Sequence, residues 1–188
     1  MQATVEKMGR RPYDSRDRLI AAMCHLMSER GYTATSPRMV LDRAELGKGS
    51  LYHHFDTKQE LGLAAIETMR ARHVRFLAKF LDDQPSASDY LAHVLTVTFD
   101  KRDGQALVRL LADPTVTSGV GLSTGATQWL EDIRAVAAGA VRTGESQQHG
   151  PHSVTELASV ANAHVTTALG EALLGLSTWV PFTDAPHR

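Results

Sequence analysis

The sequence contains a single cysteine, Cys24, in 188 residues, which excludes an internal disulfide framework and any zinc cluster built on several thiolates. It has no apolar run near the roughly 18–20 residues that a bilayer crossing needs. Met1 to Arg11 lack the apolar stretch of a secretory leader. Strand signals are almost missing: alternation of period two is nowhere sustained, and no Asn-Gly or Asp-Gly pair joins β-rich runs. Nine histidines are present, but no H-E-x-x-H or equivalent spacing gathers them into a metal motif. Internal repeats and low-complexity tracts are lacking too. With 43% hydrophobic and 22% charged residues, the chain can still bury a substantial core. The expectation is a soluble, cytoplasmic, all-α protein with no metal, cofactor or membrane partner.

The net charge of −1 is unevenly spread. Residues 1–58 hold 10 Lys and Arg against 7 Asp and Glu, whereas residues 59–188 hold 10 against 14. A basic first segment on an acidic remainder suits a polyanionic partner, although chance variation produces imbalances of this size.

Helical periodicity fills the space that strands leave. Leu19, Ile20, Met23, Leu26 and Met27 form one buried helix face, which Gly31 terminates. Ile66, Met69, His73, Phe76 and Phe80 suggest a stripe on a long helix over Lys58–Leu81, ended by Asp82, Asp83 and Pro85. Further helices are expected at Ser86–Phe99, Gln105–Leu111, Ala126–Val141 and Val154–Val180, with loops at Asp113–Gly125 and Thr143–Ser153.

Chemistry concentrates between Thr35 and Phe55. Ser36 suits an N-cap, and Pro37 suits the first helical position, where its missing N–H costs nothing. Met39, Val40 and Ala44 can face inward on a short helix. Glu45, Leu46 and Gly47 then break it, with Leu46 free to plug the angle to a second helix from Lys48 to about Phe55, where Leu51 and Phe55 pack inward. Two short helices joined this way make a helix-turn-helix, whose second helix enters the DNA major groove. Candidate DNA contacts are Ser36, Arg38, Lys48, Gly49, Ser50, Tyr52, His53, His54 and Lys58. Lys48 and Lys58 would meet phosphates, Gly49 and Ser50 would permit close approach, and Tyr52, His53 and His54 would reach base edges. Arg10, Arg11, Tyr13 and Arg16 are either additional phosphate contacts or a solvated surface. The plain alternative is a helical hairpin with no such role.

The run Lys48-Gly49-Ser50-Leu51-Tyr52-His53-His54-Phe55-Asp56-Thr57-Lys58-Gln59-Glu60-Leu61 resembles the tetracycline-repressor-like (TetR) family of transcriptional regulators. It fits that family's K-G-[ST]-L-Y-x-H-F-x-x-K-x-x-L pattern throughout. Arg18-Leu19-Ile20-Ala21-Ala22 and Gly31-Tyr32-Thr33-Ala34-Thr35-Ser36 look like the family's first helix and following turn, so the likeness covers about residues 14–66. Two departures stand out. Glu45 occupies a position where relatives often have glycine, and Gly47 stands where Ser or Thr usually caps the second helix. The resemblance implies a three-helix DNA-binding domain over residues 1–57 and a helical effector-binding and dimerisation domain over residues 58–188. It also implies a homodimer on a palindromic double-stranded operator, repression as the commoner mode, and release by a small molecule.

Within that frame, the apolar groups of the middle helices make a candidate pocket for a mainly hydrophobic effector. They are Phe76, Phe80, Val94, Val97, Phe99, Leu107, Leu111, Trp129 and Ile133, with Tyr90 and His93 to orient the ligand. The last helix offers a candidate dimer face: Leu157, Ala161, His164, Val165, Ala168, Leu169, Ala172, Leu173 and Leu176. Two features invite other readings. Gly121-Leu122-Ser123-Thr124-Gly125 matches the G-x-S-x-G of serine hydrolases, which works only where a strand turns sharply into a helix; no parallel-sheet pattern precedes it, and an interhelical loop is expected instead. Cys24, beside Met23 and Leu26, reads as a small core residue rather than a redox sensor. An architectural DNA binder without any effector is the remaining rival.

Overall fold

The computed structural model describes residues 12–81, 102–119 and 121–145. All regular elements among them are helices: α1 (Pro12–Arg30), α2 (Pro37–Ala44), α3 (Lys48–His54), α4 (Lys58–Leu81), α5 (Arg102–Ala112), α6 (Pro114–Ser118) and α7 (Leu122–Glu145). The all-α fold is as expected. The helices anticipated at Ser86–Phe99 and Val154–Val180 lie outside the described residues.

Helix α1 is buried on more than one side. Leu19, Ile20, Ala22, Met23, Cys24, Leu26 and Met27 are all buried, and at 100° per residue they sweep an arc of about 200°. A single stripe would need about half of that. The arc is wide because α1 packs against α2 and α3 as well as against α4 and α5. Cys24 is part of this packing, with its thiol 3.5 Å from the Ala65 carbonyl. Burial pushes its pKa up to about 11, which keeps it a protonated core thiol.

On α4 the buried stripe runs Leu61, Ala65, Ile66, Met69, His73 and Leu77. Phe76, expected to continue it, is 47% exposed. The helical angle explains the correction: Leu77 returns to within about 20° of Ile66, whereas Phe76 falls about 80° away. The Phe80 side chain lies outside the described residues.

The expected Asp113–Gly125 loop is mostly helical. The Asp113 carboxylate accepts the Thr115 N–H at 2.9 Å and caps α6, and Pro114 occupies the first helical position. Helix α7 begins at Leu122 and runs through Glu145, past the expected loop start at Thr143. Gly125 serves packing: a Cβ there would lie 3.2 Å from the Ile66 side chain, so α7 approaches α4 closely at this point. In the core between these helices, the Trp129 indole N–H donates to His73 Nδ1 at 3.2 Å. The two rings meet edge to face, 5.8 Å between centroids. Two ion pairs flank the contact on the surface, Arg70 with Asp132 and Arg72 with Asp103.

One corner joins the first three helices to the rest. Gly31, at φ +81°, ends α1 by donating its N–H to the Met27 carbonyl at 2.9 Å. Tyr32 then turns inward onto Gly62, where a Cβ would stand only 2.7 Å from the Tyr32 ring and 3.3 Å from Leu122. The Lys58 ammonium sits 4.1 Å from the centre of that ring and donates to the Tyr32 carbonyl at 2.9 Å. Thr33 donates its backbone N–H and its hydroxyl to the Asp113 carboxylate at 3.1 and 2.8 Å. Burial opposes the Asp113 charge, but the bonds from Thr33, Thr115 and Val116 outweigh it and hold its pKa below the ordinary value.

Two outcomes follow from this packing. Gly62→Ala should lower stability by about 1–3 kcal/mol, as overpacking does, even though helix propensity alone favours alanine by about 1 kcal/mol; urea denaturation measures the balance. His73 provides a pH test. Burial lowers its pKa to about 4 from 6.5, so the folded state resists a proton that the unfolded chain accepts. Stability should be unaffected above pH 6.5 and fall as pH drops towards 4, by up to about 3 kcal/mol. In His73→Gln that part of the acid slope should disappear.

Candidate nucleic-acid interface

Helices α2 and α3 are built from local signals. The Ser36 hydroxyl accepts the Met39 N–H at 3.3 Å, and Pro37 follows it as the first helical residue. Val40, Leu41 and Ala44 are buried, and Met39 packs partly against the same core. Glu45 ends α2 in the left-handed region, at φ 52° and ψ 47°. Its N–H bonds the Asp42 carbonyl at 3.2 Å, while the Leu46 N–H reaches back to Leu41 at 3.0 Å. This is the doubly bonded helix end that normally selects glycine. A glutamate adopts it against steric cost, with its carboxylate 3.4 Å from Arg18.

Gly47 precedes α3 without a side-chain cap. Leu51 and Phe55 are buried and fix the helix against the core. Lys48, Gly49, Tyr52 and His53 are exposed and share one face about 140° wide. Tyr52 is 64% exposed, a large aromatic left in solvent on a helix of only 7 residues that has no acidic side chain. His53 and His54 contact edge to face at 4.9 Å. Ser50 and His54 are half-buried. Beside this face, Arg38 is exposed and only loosely paired with Asp42 at 3.7 Å. The Arg16 guanidinium lies over the Phe55 ring at 5.2 Å, which ties the start of α1 to the end of α3. Arg10, Arg11 and the Tyr13 side chain lie outside the described residues.

Lys58 differs from its expected role. Its ammonium is turned into the corner, onto the Tyr32 carbonyl and ring, and burial lowers its pKa. It is a structural tie between α4 and the turn after α1 rather than an outward phosphate ligand. The next turn is capped from both sides: the Thr57 hydroxyl accepts the Glu60 N–H at 3.1 Å, and the Glu60 carboxylate accepts the Asp56 N–H at 2.9 Å.

The expected effector pocket is only partly within view. Leu107, Trp129 and Ile133 are fully buried core residues, Leu111 is half-buried, and Phe76 is exposed instead of lining an interior. Tyr90, His93, Val94, Val97 and Phe99 lie outside the described residues, as does the whole candidate dimer face from Leu157 to Leu176. His73, expected only as part of the apolar stripe of α4, is a buried polar group bonded to Trp129. Because an indole can only donate, the bond from Trp129 makes Nδ1 the acceptor and leaves the proton on Nε2. That buried Nε2 has no partner among the described residues. Ser123 lies in the first turn of α7, and its hydroxyl donates to the Gly119 carbonyl at 2.8 Å. Helix α6 precedes it, not a strand, so the geometry of a hydrolase nucleophile is missing. Among the described residues no cluster of three or more His, Cys, Asp or Glu is placed to hold a metal, and no helix is long and apolar enough to cross a membrane.

The turn itself can be tested by substitution. Glu45→Gly should change stability by no more than about 0.5 kcal/mol, since relief of the left-handed strain offsets the greater entropy of glycine in the unfolded chain. Glu45→Val, β-branched in the same conformation, should lose at least about 1 kcal/mol more. Paired urea titrations distinguish the two.

Comparison with known proteins agrees with this geometry. Residues 19–65 match the family described as bacterial regulatory proteins, tetR family. A 68-residue stretch is 35% identical to an uncharacterized HTH-type transcriptional regulator of Lactococcus lactis, covering 36% of this chain and 33% of that protein. Another, of 83 residues, is 32% identical to the HTH-type transcriptional repressor NemR of Escherichia coli, covering 44% and 41%. The aligned stretch thus spans well under half the length of either relative. Likeness of fold extends further. Reduced E. coli NemR superposes with a TM-score of 0.67 at 20% identity, over 90% of this chain and 100% of that one. A Saccharomonospora viridis regulator in complex with choline superposes at 0.72 and 15% identity, over 88% of each chain. The N-terminal helix-turn-helix domain, over residues 19–65, is thus of the tetR family of bacterial regulatory proteins.

Proposed function

We propose that this protein is a one-component transcriptional regulator, a non-enzymatic repressor that binds a palindromic operator as a homodimer and leaves it when a small, mainly hydrophobic effector binds. The observation that carries the reading is the outward face of α3. An exposed tyrosine and histidine stand beside a lysine on a helix without acidic residues, supported from behind by Leu51 and Phe55. Lys48 and Arg38 supply phosphate contacts, Gly49 and Ser50 let the backbone come close, and Tyr52, His53 and His54 read base edges. The N-cap residue Ser36 is exposed as well. Residues 1–57 form the reading domain in this scheme, and residues 58–188 the sensing and pairing domain.

The repressor name of the E. coli relative supports the direction of control. Two structural neighbours support an effector: the one solved with choline, and Bacillus subtilis FadR in complex with stearoyl-CoA, at a TM-score of 0.64 and 14% identity. In this chain His73 is the polar anchor of the effector site, offering its Nε2–H to a carbonyl or hydroxyl acceptor beside the apolar Trp129. Pairing of two chains through Leu157–Leu176 would set the reading helices about 34 Å, or a multiple of that, apart on the duplex. The protein acts in the cytoplasm.

Fluorescence anisotropy on inverted repeats from the DNA upstream of the reading frame tests the proposal. Wild type should bind one repeat in preference to unrelated duplex. Lys48→Ala should weaken binding to all sequences and reduce the salt slope by about one. Tyr52→Ala and His53→Ala should each cost about 1–3 kcal/mol and relax base preference. Full operator affinity in the Lys48/Tyr52/His53 triple-alanine protein overturns the assignment.

A further inference from the structure

A groove of about 710 Å³ opens between the outer face of α1, the end of α2, the middle of α4 and the start of α5. Five arginines line it: Arg16 and Arg18 from α1, Arg43 from α2, Arg72 from α4 and Arg102 from α5. Asp17 is the one acidic residue among its lining groups. Three more carboxylates pair with its lining side chains. Glu45 meets Arg18 at 3.4 Å, Asp103 holds Arg72 through Nε at 2.6 Å, and Glu29 accepts from His25 Nε2 at 2.8 Å. Among the described residues Arg43 has no carboxylate partner, and Arg16 has only the Phe55 ring.

His25 reports the field inside this groove. Its Nδ1 lies 2.8 Å from the Arg102 guanidinium and therefore accepts, because a guanidinium can only donate. With Nε2–H donated to Glu29, the ring is a neutral bridge between a cation and an anion. Burial and then the charge of Arg43 lower its pKa; Glu29 opposes the shift and Arg102 adds to it. The floor is apolar, formed by Ile20, Ala22, Cys24 and Ala44. Guanidinium groups lining such a floor match a ligand with a phosphate at one end and a planar or apolar body at the other. The volume falls in the range of small-molecule sites.

We propose that this groove binds an organic phosphate of about nucleotide size, held by Arg43 and Arg102 with its apolar body on Ile20 and Ala22. The site is separate from the reading face of α3 and from the Trp129–His73 core, and it stands whether or not the operator-binding proposal does. Since its arginines come from α1 and α2 on one side and α4 and α5 on the other, an occupant ties the two sides together.

Calorimetric and thermal-shift titrations of the full chain at low salt, without DNA, test it with ATP, tripolyphosphate and adenosine as probes. ATP should bind saturably with a Kd of about 1 mM or tighter and raise Tm. Tripolyphosphate should bind more weakly than ATP, and adenosine should not bind measurably. Arg43→Gln and Arg102→Gln should each weaken ATP about tenfold or more, with circular dichroism verifying that they fold. Lys79→Gln, which removes a charge from the exposed end of α4, should bind as wild type does. Absence of saturable ATP binding, or equal weakening by Lys79→Gln, overturns the site. Equal affinity for tripolyphosphate and ATP overturns the organic part of the assignment. If ATP fails to bind while Arg43→Gln weakens duplex binding, the groove is a DNA-backbone surface and the small-anion site is wrong.

Discussion

A missing side chain at Gly62 permits Tyr32 to lie flat between the end of α1, the first turns of α4 and the start of α7. Together with the packing of α1 on α4 and α5, this contact relates the first three helices to the rest. Tyr32 brings its own carbonyl to Lys58 and places the next residue, Thr33, on Asp113. Asp113 in turn caps α6 and so sets the entry to α7. A cation, an aromatic ring and a carboxylate from three separate segments share one small volume, each limiting where the others can be. Half-buried polar arrangements of this kind are stiffened because their members are satisfied together in one geometry.

Helix α3 depends on that corner indirectly. It is short, uncapped by any side chain, and would not persist alone in water. It is held by Leu51 and Phe55 from within, by Arg16 over Phe55, and by the left-handed turn at Glu45. Its free face is consequently available for recognition while its other face has no freedom. On the outer side the His53 and His54 rings meet edge to face. The position of this face comes from packing rather than from intrinsic helix propensity.

Much of this was legible in the sequence wherever the signals were local. Gly31, the Ser36-Pro37 pair and the Leu51/Phe55 spacing each act within a few residues, and each helix boundary they implied is present. Errors arose where partners lie far apart along the chain. Lys58 read as a surface cation because its partner Tyr32 is 26 residues away. His73 read as one apolar position among several because Trp129 is 56 residues distant. The Phe76 expectation failed differently: a spacing rule of three and four accumulates angular drift over ten residues. The Asp113–Gly125 segment was misread through its Gly, Ser and Thr content, although Asp113-Pro114 already formed a helix start. The arginine groove, drawn from four helices, has no linear trace at all.

The double-sided burial of α1 bears on how such proteins can be recombined. Its outer flank is not a surface awaiting a generic partner: Ser28 offers its carbonyl to Arg109 at 3.1 Å, and His25 meets Arg102. A reading unit cut before Lys58 and grafted onto another body would carry Leu26, Met27 and their neighbours bare unless the recipient supplied a helix shaped like α5. Exchange of operator specificity between chains of this architecture is therefore constrained to α2 and α3, leaving α1 to travel with the body it packs against. The natural seam for engineering or evolutionary shuffling lies at the turn after Tyr32, well upstream of the boundary that function alone would suggest.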